Sequence, residues 1–222
     1  MSAKKVTKTK KPQAAPKAKA APKAKKEKDN GLIRFTINGQ AVEAQAGWTI
    51  LETARQHGIK IPTLCYHPAV EAIGSCRLCV VEIQQDGRSR VAASCITQVQ
   101  AGVEVLTDSE DVLNVRRWIL EMLLANCPAS LQIRELAKEY GVTSTRFTVE
   151  HPEDACPRCG LCVRACEEVV GIRAISLGNR GVFKEVTAPY HKRNADCIRC
   201  GTCLYVCPTG AMEQLFPQVS AS

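Results

Sequence analysis

The sequence has 222 residues, a formal net charge of +8, 45% hydrophobic residues and only 5% aromatic residues. A chain of this length forms one to three small domains, and so few aromatic residues argue against one large aromatic core. No apolar run approaches the length that a membrane span requires.

The positive charge is concentrated in residues 1–30, which carry eleven lysines against Glu27 and Asp29. The rest of the chain is therefore close to neutral. This segment is rich in lysine, alanine and proline and cannot bury apolar area, so we predict a disordered tail. Its lysines have no aromatic residues among them, which argues against a specific nucleic-acid site. It also lacks the apolar core of a signal peptide, so we expect a cytoplasmic protein of a reducing compartment.

The tail is followed by signals of a β-hairpin and a helix. Residues 33–42 alternate between apolar and polar side chains around Asn38-Gly39, which is a strong two-residue turn signal. Thr49 and Glu52 have the spacing of a capping box and predict a helix that begins at this point.

A second hairpin is predicted around Asp86-Gly87, between the apolar segments 80–83 and 91–93. Two hairpins and one helix indicate a small mixed sheet packed on that helix. We expect this domain to span residues 31–107.

A helical connector is predicted over residues 108–149. Ser109 has the character of an N-cap, Pro128 ends the first helix, and a second helix is predicted over Leu131–Tyr140. The apolar face of the first helix is predicted to comprise Val112, Val115, Ile119, Met122 and Leu123.

Twelve of the thirteen cysteines fall into three quartets. Two quartets have the spacing C-x2-C-x2-C-x3-C, namely Cys156, Cys159, Cys162 and Cys166, and then Cys197, Cys200, Cys203 and Cys207. The third quartet is Cys65, Cys76, Cys79 and Cys95, with gaps of ten, two and fifteen residues. Thiolates bind iron, and chains of iron–sulfur clusters transfer electrons.

The tandem spacing is typical of two [4Fe–4S] clusters. Three cysteines at two-residue gaps surround one cluster, and the fourth begins a helix and serves the other cluster. The expected ligand sets are Cys156, Cys159, Cys162 and Cys207 for the first cluster, and Cys166, Cys197, Cys200 and Cys203 for the second. Zinc and disulfides are the alternatives, but zinc sites usually offer paired C-x2-C units and disulfides need an oxidising compartment.

The tandem runs resemble the bacterial-type ferredoxin domain with two [4Fe–4S] clusters, over residues 150–216. Glu167 follows the first run in place of proline, and thirty residues separate the two runs. Residues 162–171 and 179–181 resemble instead the ferredoxin segment that is built into hydrogenases and NAD-linked formate dehydrogenases.

The segments 61–66 and 74–79 resemble the [2Fe–2S] domain of the complex I large iron–sulfur subunit, which also occurs in hydrogenase diaphorase subunits. The resemblance covers residues 31–216 and implies a β-grasp fold. It also implies a [2Fe–2S] cluster in which Cys65 and Cys76 bind one iron and Cys79 and Cys95 bind the other. The expected fold class is α+β: a β-grasp [2Fe–2S] domain, a helical connector and a bacterial-type ferredoxin domain with two [4Fe–4S] clusters.

This family usually carries a further [4Fe–4S] cluster between these domains, bound by one histidine and three cysteines. Here the ligand-bearing segment is missing, and only Cys127 remains where the family has its histidine. We expect Cys127 to be a small buried residue at a helix end. His151 precedes Cys156, but that cysteine is needed for the first tandem quartet, so we expect a loop histidine. His67 is close to Cys65 and is expected to hydrogen-bond near the cluster.

The resemblance implies an electron-transfer subunit with one [2Fe–2S] cluster, two [4Fe–4S] clusters and no catalytic residues of its own. The expected partners are a flavoprotein subunit that oxidises NAD(P)H and a catalytic hydrogenase or formate dehydrogenase subunit. No glycine-rich dinucleotide fingerprint follows a predicted strand, so we expect no nicotinamide or flavin site. Two alternatives stay open: a free polyferredoxin acting as a soluble electron carrier, and an interaction module stabilised by zinc or clusters without a redox role.

Overall fold

A computed structural model describes residues 31–191 and 194–215. The predictions for the basic tail lie outside the described residues. The described chain contains a five-stranded sheet, three longer helices and a cysteine-rich region built from short elements. Among the described helices, none is long and apolar enough to cross a membrane.

Two antiparallel hairpins form the two sides of the sheet. β1 (Leu32–Ile37) pairs with β2 (Gln40–Gln45), and β3 (Val80–Gln85) pairs with β4 (Arg88–Ala93). Both predicted hairpins are therefore confirmed.

The hairpin turns explain why these strands pair in this register. The φ angles are 51° at Asn38 and 75° at Gly39, and 50° at Asp86 and 74° at Gly87. Positive φ at both central residues defines the type I′ turn, whose twist matches that of the flanking strands. Asparagine, aspartate and glycine tolerate this conformation best, so the local sequence selects the turn.

The central strand of the sheet is β5 (Glu104–Leu106), which joins the two hairpins. It runs parallel to β1 and antiparallel to β3, and the strand order is β2-β1-β5-β3-β4. Sequence analysis did not predict this strand, because three residues are too few to show alternation. The mixed sheet and its helix confirm the expected α+β class and the β-grasp arrangement.

The helix α1 (Ile50–Gln56) packs on this sheet and buries Ile50 and Leu51. Its N-terminus is closed by the predicted capping box. The Glu52 N–H donates to the Thr49 hydroxyl at 3.2 Å, and the Thr49 N–H donates to the Glu52 carboxylate at 2.8 Å. These bonds satisfy two backbone donors that a helix start otherwise leaves unpaired.

The two predicted helices after the sheet are present as α2 (Glu110–Asn126) and α3 (Leu131–Glu139). Ser109 caps α2, because its hydroxyl accepts a hydrogen bond from the Val112 N–H at 3.5 Å. Ser130 caps α3 in the same way through the Ile133 N–H at 3.3 Å.

The predicted apolar face of α2 is wrong in part. The stripe that is fully buried is Val112, Arg116 and Leu120, whereas Met122 is 43% exposed. The helix is turned so that the Arg116 side chain reaches the carbonyl oxygens of Leu78 and Val80. A hydrophobicity pattern cannot anticipate this rotation, because it assigns every arginine to the solvent side.

The cysteine-rich region has short elements, as the sequence predicted. They are α4 (Leu161–Arg164), a π-helical turn (Ala165–Val169), β6 (Ser176–Gly178), a 3-10 turn (Gly181–Phe183), β7 (Glu185–Thr187), a second 3-10 turn (Pro189–His191), α5 (Thr202–Tyr205) and α6 (Ala211–Leu215). β6 and β7 form a separate antiparallel pair.

One prediction about this region is wrong. Cys166 does not begin a helix, because the helix begins at Leu161 and Cys166 lies in the π-helical turn that follows α4. Gly160 precedes this helix with φ of 74°, a left-handed conformation that glycine adopts without a Cβ clash.

Candidate iron–sulfur cluster sites

The structure brings the four cysteines of the upstream quartet together in pairs. Cys79 directly precedes β3 and Cys95 closely follows β4, so the hairpin register places their sulfur atoms 3.3 Å apart. Cys65 and Cys76 lie in the loop between α1 and β3, where the Cys76 N–H donates to the Cys65 sulfur at 3.3 Å. These are the two pairs that the family resemblance implied.

Burial raises the pKa of the thiols of this quartet, and hydrogen bonding within each pair shifts the two pKa values in opposite directions. Cys65, Cys79 and Cys95 are at most 2% exposed. Hydrogen bonding from Cys76 lowers the pKa of Cys65 to about 6, and hydrogen bonding from Cys95 lowers the pKa of Cys79 to about 6. The pKa of the other thiol in each pair is raised. One thiol in each pair is therefore easier to deprotonate than its partner, and metal binding would release the protons that remain on the others.

Two buried arginines contact the loops of this quartet, and sequence analysis missed both. The Arg116 guanidinium donates to the carbonyl oxygens of Leu78 at 3.1 Å and Val80 at 2.7 Å, on either side of Cys79. The Arg164 guanidinium donates to the carbonyl oxygen of Cys65 at 2.6 Å. One signal was available for Arg116: it falls at the fourth residue after Val112, on the same helical face.

The tandem quartets surround two separate cavities. One cavity is lined by Cys156, Cys159, Cys162 and Cys207, together with apolar side chains that include Met212. The other is lined by Cys166, Cys197, Cys200 and Cys203. Each cavity is lined by three cysteines of one run and the fourth cysteine of the other run, which are the residues named in the expected ligand sets.

The two loops that hold these cysteines have the same backbone course. Arg158 and Arg199 have φ of 53° and 58°, and Gly160 and Gly201 have φ of 74° and 73°. These residues occupy equivalent positions in the two runs. The repeated sequence therefore produces a repeated loop, in which alternate left-handed residues let the chain curl around a cavity.

The two cavities differ in how deeply their cysteines are buried. Cys159 and Cys162 are buried, and desolvation raises the pKa of Cys159 to about 11 and that of Cys162 further. Cys200 is exposed, and a hydrogen bond with the Thr202 hydroxyl at 3.3 Å lowers its pKa. The first cavity is thus an interior site, whereas the second opens to the surface.

The tandem cysteine sets are spread around cavities, an arrangement that is compatible with clusters. Within the described residues, no three side chains of His, Cys, Asp or Glu converge on a point where one metal ion could be bound. A structural zinc ion requires four ligands around one point. A [4Fe–4S] cluster takes one thiolate at each of four irons, so its cysteines are spread around a cavity, as they are here.

Cysteines of the upstream quartet and of the first tandem quartet pack in the same buried group of apolar side chains. Cys65 packs in the same hydrophobic cluster as Cys159, Cys162 and Val206. The Cys65 and Cys159 sulfurs are close enough for a negative charge on Cys65 to raise the pKa of Cys159, although burial is the larger cause. No layer of solvent therefore separates these two sites.

The thirteenth cysteine and the singled-out histidines lie outside the three sets. Cys127 is fully buried at the C-terminal end of α2, as expected; its thiol donates to the Leu123 carbonyl at 3.1 Å, and burial raises its pKa to about 12. His151 is an exposed loop residue beside Glu153, also as expected. The His67 ring accepts a hydrogen bond from the Ala69 N–H at 3.2 Å, and this contact does not involve a cysteine.

Comparison with known protein families defines the class of these sites. Residues 31–110 match the family described as a 2Fe-2S iron-sulfur cluster binding domain. Residues 155–211 match the family described as a 4Fe-4S dicluster domain. The protein is therefore an iron–sulfur protein, and its two matched segments contain all twelve of the cysteines in the three quartets.

Individual similar proteins show which kind of iron–sulfur protein this chain resembles. A subunit of the NADH-quinone oxidoreductase of Rhizobium meliloti (strain 1021) is 35% identical over 206 residues, covering 82% of this chain and 24% of the relative. NADP-reducing hydrogenase subunit HndD of Solidesulfovibrio fructosivorans is also 35% identical, covering 82% of this chain and 36% of that protein. The chain thus spans between a quarter and about a third of the length of these curated relatives.

A solved structure matches over most of both chains. A chain in the crystal structure of an NAD+-reducing [NiFe]-hydrogenase is 33% identical with a TM-score of 0.70, covering 81% of this chain and 86% of that one. This protein belongs to the family of iron–sulfur subunits that comprises the N-terminal region of the complex I large iron–sulfur subunit and its counterparts in NAD(P)-linked hydrogenases.

Proposed function

We propose that this protein relays single electrons through three iron–sulfur clusters. One [2Fe–2S] cluster is held by Cys65, Cys76, Cys79 and Cys95. One [4Fe–4S] cluster is held by Cys156, Cys159, Cys162 and Cys207, and a second by Cys166, Cys197, Cys200 and Cys203. When bound, such clusters supply one-electron transfer without proton or atom transfer. The surrounding chain would form three units: residues 31–107, a connector over 108–149, and residues 150–216.

The observation that carries this proposal is the packing of Cys65 with Cys159 and Cys162 in one buried group of apolar side chains. A hydrogen bond of Arg164 also connects the two sites. This residue lies between Cys162 and Cys166 in the sequence, and its guanidinium donates to the Cys65 carbonyl oxygen. A protein that used the clusters only as structural staples would not need the two sites to abut. Electron transfer does need this proximity, and it also needs a terminal site near the surface, where Cys200 lies.

The partners follow from the names of the relatives, all of which belong to enzymes that handle nicotinamide nucleotides. We propose a flavoprotein subunit that oxidises NAD(P)H on one side of the relay. On the other side we propose a catalytic oxidoreductase subunit of the hydrogenase or formate dehydrogenase type. The hydride chemistry would occur at the cofactors of those subunits, and this chain would supply binding and orientation for its own clusters.

Anaerobic purification of the full chain tests the cluster content. We expect about ten iron atoms per chain, from one two-iron and two four-iron clusters. Titration with dithionite should reduce three one-electron centres, one with the EPR signal of a [2Fe–2S] cluster. Zinc in place of iron, or iron that dithionite does not reduce, would contradict an electron-transfer role.

A second experiment separates a complex subunit from a free carrier. The tagged chain is isolated anaerobically from its native cells, and the co-purifying proteins are identified by mass spectrometry and flavin analysis. Co-purification of a flavoprotein in fixed stoichiometry supports the proposed subunit. A monomer that carries the full set of clusters alone supports the free polyferredoxin instead.

A further inference from the structure

The described residues contain two buried cations, and both contact the loops of the upstream cysteine quartet. Arg116 is 3% exposed and Arg164 is 9% exposed, whereas the other described lysines and arginines are more accessible. They come from different elements, since Arg116 lies on α2 and Arg164 at the end of α4. Their convergence on one cysteine quartet is therefore not a consequence of a single local motif.

Arg164 approaches the quartet from the cysteine-rich region. Residues two positions apart on an α-helix point in roughly opposite directions, so Arg164 faces away from Cys162 and toward the upstream loop. Its guanidinium donates to the carbonyl oxygens of Cys65 and Glu71. Its Nε is the single buried side-chain donor in the described residues that has no hydrogen-bond partner.

Arg116 approaches the quartet from α2. Its guanidinium spans the carbonyl oxygens of Leu78 and Val80, and a third contact at 3.4 Å reaches the Tyr140 hydroxyl. Burial lowers the pKa of Arg116, but arginine stays protonated in proteins. Both cations are thus held on carbonyl dipoles next to cysteine ligands.

Within the part of the chain that the structure describes, neither cation has a carboxylate partner. Among the described residues, no aspartate or glutamate oxygen lies within 4.0 Å of the Arg116 or Arg164 nitrogens, since the ion pairs found there involve other residues. Glu168, one turn after Arg164, instead accepts a hydrogen bond from the Glu71 N–H at 2.6 Å. Burying a charge without a counter-ion is costly unless a negative group compensates it.

Negative charge close to the two arginines is available from the thiolates of Cys65 and Cys79, and Asp108 adds a further negative charge near Arg116. We propose that Arg116 and Arg164 raise the reduction potential of the [2Fe–2S] centre. This inference rests on the proposed ligand set of Cys65, Cys76, Cys79 and Cys95. Reduction by one electron converts one Fe3+ to Fe2+ and adds one negative charge, with no bond formed or broken. Buried cations stabilise that added charge more than exposed ones do, because the effective dielectric constant is about 20 inside the protein and about 80 in water.

The test is an anaerobic redox titration of the full chain, with dithionite and mediator dyes, followed by EPR of the [2Fe–2S] signal. Arg164→Gln removes the charge and keeps an amide donor for the Cys65 carbonyl. We expect the equilibrium constant for reduction to fall tenfold or more, which corresponds to about 59 mV for a one-electron couple. Arg116→Gln should shift the potential in the same direction.

Two control variants separate charge from geometry. Arg164→Lys keeps the charge without the guanidinium fork and should hold the wild-type potential within about twofold in the equilibrium constant. Arg90→Gln makes the same change in net charge at an exposed position of β4, where solvent and salt screen it, and should leave the potential unchanged.

The outcomes are distinguishable. An Arg164→Gln protein with a loaded cluster and the wild-type potential would overturn the inference, and so would equal shifts in the Gln and Lys variants. If Arg164→Gln does not bind the cluster, Arg116→Gln decides: a tenfold fall in the equilibrium constant for reduction supports the inference, and the wild-type potential contradicts it. A wild-type chain without any [2Fe–2S] signal would instead overturn the proposed function.

Discussion

The sheet region, residues 31–107, and the cysteine-rich region, residues 150–215, bury their interiors by different means. The core of the sheet region comprises sixteen buried residues, of which only Cys79 and Cys95 are cysteines. The hydrophobic cluster around the cysteine-rich region, counted with its partly buried members, has fourteen residues from that region, and six of them are cysteines. One region is stabilised mainly by apolar packing, whereas we expect the other to depend on the groups that its sulfurs bind.

The difference follows from the amount of regular structure in each region. Five paired strands and a capped helix satisfy backbone hydrogen bonds and present one apolar face. The cysteine-rich region offers a two-stranded pair and helices of four or five residues, which are too short to be stable by themselves. Small domains of this kind usually need covalent or metal staples.

Removal of iron should produce the largest difference between the two regions. Iron is removed by a chelator under anaerobic denaturing conditions, and the protein is then returned to buffer. We expect residues 155–211 to stay unfolded and the sheet to be largely folded. Hydrogen exchange measured by mass spectrometry should rise roughly a hundredfold or more in the cysteine-rich region, and roughly tenfold or less in β1, β2 and β5. Equal loss of protection in both regions would show that the sheet also depends on its cluster.

Substitution Cys166→Ala tests the crossed ligand sets within the cysteine-rich region. The expected loss is about four iron atoms per chain, because Cys166 lines the cavity of Cys197, Cys200 and Cys203. EPR should retain the [2Fe–2S] signal and the signal of the other [4Fe–4S] cluster. The matched control is Cys127→Ser, which changes the one cysteine outside the quartets and should leave the iron content unchanged. Loss of the cluster on Cys156, Cys159 and Cys162 would refute the crossed arrangement.

A smaller effect is expected in the sheet region from Thr49→Ala. This change removes the capping box of α1 and should lower the free energy of unfolding of the sheet region by about 1 kcal/mol. Thr49→Ser, which keeps the hydroxyl, is the control. Urea titration of the iron-free protein, followed by hydrogen exchange of β1, β2 and α1, measures the sheet region, and an unchanged midpoint would show that the cap contributes nothing.

Deletion of residues 2–28 should have the smallest effect on both regions. The segment contains none of the cysteines, so iron content and the potentials of all three centres should stay at their wild-type values. Association with an acidic partner could still weaken, and that change should diminish as the salt concentration rises. A truncated chain that no longer holds its [2Fe–2S] cluster would assign the tail a structural role.

The sequence by itself determined the features that depend on residues close together in the chain. The turns at Asn38-Gly39 and Asp86-Gly87 follow from residues that accept positive φ, and the start of α1 follows from two side chains three positions apart. The repeated cysteine spacing likewise determined two equivalent loops. Each of these features is decided by interactions within one turn or one hairpin, so a local pattern is sufficient to predict it.

The tertiary structure alone decided the features that join distant parts of the chain. The strand β5 has too few residues for a local signal and exists because both hairpins offer it hydrogen bonds. The rotation of α2 is set by Arg116, whose carbonyl partners lie nearly forty residues away. Arg164 meets the Cys65 carbonyl across 99 positions of sequence. Such contacts depend on the packing of whole elements, because a buried cation is stable only where the assembled fold supplies its acceptors.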